Sequence, residues 1–302
     1  MRQDDAGAAM ADDLCRICCY TPRMPTADLH LHTHHSHGTA DVAAMVQACL
    51  DRGIQLVGMT EHAPRPAGFR YPAEEFQAHV LQQFSQYVAE VLAARQAFPQ
   101  AEILLGTEVD YVAEHEDFFE QFLQSAPFDY TLGGVHFIGP WGFDFAQAEW
   151  DVLDEDARRA AYLDYYALVA GMARSRRYTV APHVDLVKIF SRETHARFLD
   201  SADGRRAVGE ALDALAQAGM LLEISTAGLR KPCREIYPGP TVLGWAMERG
   251  LACCPASDAH APNQVAFAFD TLTAYAREHG VEGWTVPGPC HAGQSGRRRL
   301  PL

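Results

Sequence analysis

Residues 27–37 read Ala-Asp-Leu-His-Leu-His-Thr-His-His-Ser-His, a short apolar run that carries histidines at positions 30 and 32. Two residues apart on a strand, His30 and His32 point to the same side, and a His-x-His pair so placed can grip one metal ion. The alternative is a surface histidine tract over positions 30–37 with incidental metal affinity. Recurrence further along the chain decides between them. Similar runs stand at 54–60, 103–110, 130–137, 178–183, 221–225 and 251–256, separated by segments of helical period such as 41–51, 74–97 and 205–218. Apolar runs alternating with helical segments are the signature of repeated βα units around a parallel sheet. Seven strands without a Gly-rich phosphate fingerprint after the first one speak for an α/β barrel, closed or nearly so, over a doubly wound sheet. Gly133-Gly134 falls inside a strand and is no phosphate cradle.

Nearly every expected strand ends in, or just before, an ionisable residue. Strand one brings His30 and His32, strand two Glu61 and His62, strand three Glu108 and Asp110, strand four His136. Strand five adds His183 and Asp185, strand six Glu223, and strand seven Asp258 and His260. In a β/α barrel these ends converge on one face, so a single polyvalent site is expected there. Glu108 follows the run Ile103-Leu104-Leu105, and a carboxylate in that place can bridge two cations, as two-metal hydrolases require. Singly, His136, His183 and His260 read equally well as hydrogen-bonded core or loop histidines; together they call for metal.

The remaining chain narrows the function classes. A formal net charge of -14 over 302 residues disfavours a binder of nucleic-acid phosphates. Eight cysteines, with neighbours at Cys18-Cys19 and Cys253-Cys254, fit reduced thiols and a cytoplasmic setting better than a disulfide scaffold. No apolar run reaches the roughly 18 residues of a membrane span, and the acidic start (Asp4, Asp5, Asp12, Asp13) is unlike a signal peptide. Residues 1–25 and the Gly-, Pro- and Arg-rich 286–302 are expected as loose extensions of one barrel over 26–285. Cys15, Cys18 and Cys19 space like half of a zinc site without a second half.

The strings Asp28-Leu29-His30-Leu31-His32-Thr33, Thr60-Glu61-His62, Gly106-Thr107-Glu108-Val109-Asp110-Tyr111 and Ser257-Asp258-Ala259-His260 resemble motifs of the polymerase-and-histidinol-phosphatase (PHP) superfamily. The likeness spans about 27–273. Gly133-Gly134-Val135-His136-Phe137, Trp141-Gly142-Phe143-Asp144, the run Pro182 to Lys188 and above all Glu223 to Pro232 resemble its monofunctional histidinol-phosphatase branch.

The resemblance implies a distorted seven-stranded, TIM-like β/α barrel with three divalent ions (zinc, iron or manganese). His30, His32, Glu108 and Asp258 would hold the first, Glu108, His136 and His183 the second, and His37, His62 and His260 the third. The turn to His37 is one residue shorter than the branch pattern, which leaves His34 and His35 as alternatives. The implied activity is hydrolysis of L-histidinol phosphate to L-histidinol and phosphate, with Glu108, Asp258 and His260 at the reacting centre and Glu61 or Asp185 as proton donor. Arg230, with Lys231, is placed to grip phosphate, and 141–145 with 235–238 to shape the pocket for the cationic organic group. The competing expectations are another small phosphate ester or nucleotide, or an amidohydrolase. The latter usually needs a metal-bridging lysine at a strand end, and Lys188 lies beyond strand five.

Overall fold

The computed structural model describes residues 24–71, 76–288 and 296–302. The Cys15, Cys18 and Cys19 cluster and residues 1–23 of the expected extension lie outside the described residues.

In chain order the described elements are β1 (Ala27–Leu31), α1 (Val42–Asp51), β2 (Leu56–Met59), α2 (Phe76–Ala97), β3 (Glu102–Asp110), α3 (Glu116–Leu123), β4 (Tyr130–Gly134), β5 (Phe137–Ile138), β6 (Trp141–Gly142), α4 (Gln147–Asp151), α5 (Glu155–Ser175) and β7 (Val180–Ala181). There follow α6 (Arg192–Asp200), α7 (Ala202–Ala218), β8 (Leu221–Ser225), α8 (Pro240–Glu248), β9 (Cys253–Ala256), α9 (Phe269–Glu278), β10 (Trp284–Pro287) and β11 (Arg297–Leu300). Helix starts carry the signals that their sequence advertises: Asp41 caps α1, Asp154 caps α5 and Ser201 caps α7, each accepting a backbone N–H of the first turn.

The seven strands run parallel in the order β1-β2-β3-β4-β7-β8-β9. A parallel bridge between Leu31 and Ala259 joins the first strand to the chain just past the last, so the barrel closes at its carboxyl end. The expected strand at 178–183 shrinks to Val180 and Ala181, and that at 130–137 ends at Gly134. His136 and His183 therefore stand on loops just beyond their strands.

Alternation explains the interior. Leu56, Leu104, Tyr130, Leu132, Val180, Leu221 and Cys254 form a buried cluster with Ala27, Leu29 and Val286. Their neighbours Val57, Leu105, Leu222 and Cys253 belong to the larger core beneath the helices. Tyr130 spans the middle of the barrel, its hydroxyl donating to the Leu29 carbonyl at 2.7 Å. That ring needs glycine on β2, two strands away: a Cβ at Gly58 would collide with the Tyr130 hydroxyl and lie 2.8 Å from Leu29 Cα.

Above this layer the same inward positions become polar, with Glu108 on β3 and Glu223 on β8. In β1 the register slips between Asp28 and Leu31. This bulge lets Leu29 pack into the apolar interior while the adjacent His30 meets Glu108 and Glu223.

Arg297–Leu300 pair antiparallel with Trp284–Pro287, forming a strand within the stretch that composition reads as a loose tail. Val286 and Leu300 pack against the barrel interior, which gives this hairpin an apolar anchor. Cys49, Cys233, Cys253 and Cys254 are buried free thiols. Among the described residues no helix is long and apolar enough to cross a membrane.

Between α5 and α6 a buried polar pair makes stability depend on pH. His195 Nε2 lies 2.8 Å from Tyr166 Oη. Burial, helped by the nearby Lys188 charge, pushes the His195 imidazole down to about 3 from its ordinary 6.5. Below that ordinary value the unfolded chain takes up a proton that the folded one refuses, so stability is lost as pH falls. In urea unfolding, the loss between about pH 7 and pH 5 is expected to be about 2 kcal/mol smaller for His195→Gln than for wild type. Equal losses would mean that His195 is charged in the fold.

Candidate metal centre

Glu108, at the carboxyl end of β3, is buried and organises the site. Its Oε1 lies 2.9 Å from His183 Nε2 and 3.6 Å from His136 Nε2. Its Oε2 lies 3.3 Å from His30 Nε2, 3.4 Å from His32 Nε2 and 3.2 Å from His62 Nδ1. One carboxylate thus presents each oxygen to a different set of imidazoles. Space for this comes from Gly134, where a Cβ would stand 2.9 Å from His136 Cε1 and 3.1 Å from Glu108 Oε1.

Asp258 closes the other side, its Oδ1 3.4 Å from His32 Nε2 and 3.8 Å from His30 Nε2. It stands at φ 50°, in the left-handed region that non-glycine residues seldom enter, and His183 at φ 27° is similarly unusual. Arg230 explains how Asp258 is held. Its Nη2 donates to the carbonyls of Ser257 and Asp258 at 2.9 and 2.8 Å, with the guanidinium 5.4 Å from the centroid of the Phe267 ring. Arg230 thus clamps the backbone of a site residue through Nη2 while its buried Nη1 has no hydrogen-bond partner, and Lys231, the other residue expected at the phosphate, lines the cavity.

His37, His62 and His260 also converge. His37 stacks on His260 with ring centroids 4.2 Å apart and on His62 at 4.9 Å. His32 stacks on His62 and His260 at 4.3 and 4.2 Å. Of the alternatives to His37, His34 and His35 cluster instead with Glu90 of α2.

Behind the histidines stand carboxylates that fix their orientation. Glu223 Oε2 is 2.7 Å from His30 Nδ1, Asp110 pairs with His136 Nδ1, and Glu61 Oε1 lies 3.4 Å from His32 Nδ1. Such pairing sets the tautomer and aims the opposite ring nitrogen at the site. Glu61 is further occupied by the Thr33 amide and hydroxyl, the Ser36 hydroxyl and the His62 amide. Asp185 is tied up by Lys188 and the Gly239 amide. Neither lines the cavity.

The electrostatics are those of a proton-sharing cluster. Burial would raise the Glu108 carboxyl, but His30, His136 and His62 hold it well below the carboxylate range. Burial would lower His30, yet Glu223, Glu108 and Asp258 lift it well above its ordinary value, and by the same competition Asp110 and Glu108 raise His136 to about 9. His62 and His260 go the other way, driven well down by burial and by the His32 charge.

Buried polar atoms need partners, and His30 Nε2, His32 Nε2 and His260 Nε2 have no hydrogen-bond partner. Single ligand atoms from His30, His32 and Asp258, from His30, Glu108 and His183, and from His32, His62 and His260 fall within 4.8 Å of one another. Orphaned imidazole nitrogens facing buried carboxylates are the donor set that divalent cations take, so these residues fit bound metal.

The cluster floors a cavity of about 250 Å³ whose lining includes His37, Arg65, Tyr71, Asp144, Phe145, Lys231 and Tyr237. Sequence reasoning missed Arg65 and Tyr71, which come from the loop after β2. Arg65 pairs with Asp110 and lies 5.0 Å from the Tyr71 ring centroid, while the Tyr71 hydroxyl donates to Asp144 Oδ1 at 2.6 Å. Of the expected pocket segments, Asp144, Phe145 and Tyr237 reach the cavity, whereas Glu235 is held by Lys188.

The family model described as PHP domain matches residues 28–227, more than half of the chain. The chain belongs to the PHP domain family. It is 37% identical over 257 residues to a probable histidinol-phosphatase of Deinococcus radiodurans, covering 84% of this chain and 93% of that protein. It is 28% identical to the histidinol-phosphatase of Bacillus subtilis, covering 82% and 98% respectively. Two solved PHP structures share its fold. The putative histidinol phosphatase of Listeria monocytogenes superposes with a TM-score of 0.72 at 23% identity, covering 81% of this chain and 99% of that one. The histidinol phosphate phosphatase of Lactococcus lactis, which holds zinc, L-histidinol and phosphate, gives 0.69 at 22% identity, covering 86% and 95%. These likenesses agree with the barrel and the family expected from the motifs.

Proposed function

We propose that this chain is a metal-dependent phosphomonoesterase that hydrolyses L-histidinol phosphate to L-histidinol and phosphate. The observation that carries the chemistry is the division of Glu108, one oxygen towards His136 and His183 and the other towards His30, His32 and His62. The substrate rests on the likeness to histidinol-phosphatases over nearly their whole length.

In this reading His30, His32, Glu108 and Asp258 hold one divalent ion, Glu108, His136 and His183 a second, and His37, His62 and His260 a third. Zinc, iron and manganese all suit imidazole and carboxylate donors. Bound ions of this kind supply hydroxide near neutral pH and absorb charge that develops on the phosphoryl group.

The chain's own residues do the rest. Lys231 and Arg65 give the cavity its positive side chains for a phosphate dianion. Asp144, Tyr71 and Phe145 bring a carboxylate and two aromatic faces, which suit a cationic amine and an imidazole. Arg230 holds the left-handed turn that presents Asp258. A cavity of about 250 Å³ is the right scale for a small ester and too small for a polynucleotide.

The deciding assay is phosphate release from L-histidinol phosphate, p-nitrophenyl phosphate and a nucleoside monophosphate, with manganese or zinc and after chelation. A strong, chelator-sensitive preference for L-histidinol phosphate is expected. Turnover of the other esters alone would discard the substrate, and silence on all three would discard the phosphatase. Lys231→Ala is expected to raise KM about tenfold with little change in kcat, since a phosphate contact made equally in ground and transition states acts on binding. An unchanged KM would remove Lys231 from the phosphate site.

A further inference from the structure

The histidines at 34 and 35 are not used by the centre described above. We infer that His34, His35 and Glu90 form a separate, peripheral site for one divalent ion of borderline character, with zinc as its natural occupant. One ligand atom from each lies within 4.8 Å of the other two, and the two rings have centroids 4.4 Å apart. None of the three touches the cavity that the Glu108 cluster floors.

The buried pair needs only a small adjustment, and the exposed His34 ring has to close on it from within 4.8 Å. His35 Nε2 is 2.9 Å from Glu90 Oε2. Two ligands of a tetrahedral zinc ion stand about 3.3 Å apart, given bonds of about 2.0–2.1 Å, so the pair opens by a few tenths of an ångström to admit one. His35 is buried and its Nδ1 has no hydrogen-bond partner. The ring proton can therefore move to Nδ1, freeing Nε2 for a cation, without breaking a bond at Nδ1. Gln86 Nε2 donates to the other Glu90 oxygen at 3.1 Å, which restrains the carboxylate from behind. Two imidazoles and a carboxylate suit zinc and similar ions, whereas magnesium and calcium prefer all-oxygen shells. His34 is exposed, so the remaining coordination positions open to solvent and the ion exchanges.

Such an ion would staple the turn after β1 to α2. That turn also supports the main site from behind: the His35 amide donates to Thr33 Oγ1, and Thr33 and Ser36 both hold Glu61, the partner of His32.

The test uses the full-length protein, loaded with zinc, desalted and titrated with further ZnCl2 by calorimetry beside His34→Ala and Glu90→Gln. Circular dichroism checks the fold of each, and the exposure of His34 makes His34→Ala the variant on which the result stands. Wild type is expected to take up one exchangeable equivalent that both variants lose, or bind at least about tenfold more weakly. MgCl2 is expected to give no matching uptake. Identical zinc isotherms for wild type and folded His34→Ala would overturn the site, as would equal uptake of magnesium.

Discussion

Glu108→Gln is expected to abolish turnover of L-histidinol phosphate, by at least about a thousandfold in kcat, while leaving the circular dichroism of the protein unchanged. The substitution keeps the size of the side chain, and the surrounding packing, including the room left by Gly134, is preserved. What changes is the charge and one donor atom. The carboxylate faces five imidazoles, and against the pull of burial four of them, His30, His136, His62 and His183, set its depressed pKa. An amide presents an NH2 group, which cannot ligate a cation, to one of those two sets. Metal content should fall together with activity, because sites sharing the bridging ligand weaken at once. A folded Glu108→Gln protein with wild-type metal content and turnover would remove Glu108 from a bridging role.

How much of this was legible in the sequence depended on which force fixed each residue. β3 announced itself as the apolar run Ile103-Leu104-Leu105 ending in Glu108 and Asp110, because a parallel strand covered on both faces is apolar on both. The histidines were legible with such runs, being tied to strand ends whose place in a barrel is set by topology. Direction beyond a strand end was not legible. Arg230 and Lys231 are adjacent in sequence, yet one turns back to clamp the carbonyls of Ser257 and Asp258 and the other faces the cavity. Glu61, Asp110 and Glu223 looked like cavity carboxylates, and only the fold shows them behind His32, His136 and His30. Arg65 and Tyr71 sit on an irregular loop, where no periodicity signals which side chains point inward.

Lys188→Met is expected to destabilise the protein by about 3–5 kcal/mol, the usual cost of leaving one buried charge without its partner. Lys188 is buried, its Nζ 2.8 Å from Asp185 Oδ2, 2.7 Å from Glu235 Oε2 and 3.0 Å from the Ile236 carbonyl. This ammonium joins the turn after β7 to the segment that carries Tyr237 into the cavity. Its two carboxylate neighbours also argue against the amidohydrolase alternative, since a carbamylated lysine would place a third anion between them. Methionine fills similar volume but strands Asp185, whose carboxyl burial already raises and Lys188 pulls back. In the variant that pull is gone and the carboxyl rises further. A folded-state pKa above the unfolded value is a contribution present in acid and lost as pH rises through it, so the deficit should narrow as pH falls from neutrality. With about 2.1 cal/mol/K of unfolding entropy per residue, the deficit lowers Tm by about 5–8 °C at neutral pH. Lys188→Met combined with Asp185→Asn should recover most of the loss, because the stranded charge is then removed as well. An unchanged Tm in the single variant, or no recovery in the double, would mean that packing around Lys188, and not its charge, holds the turn against the Tyr237 segment.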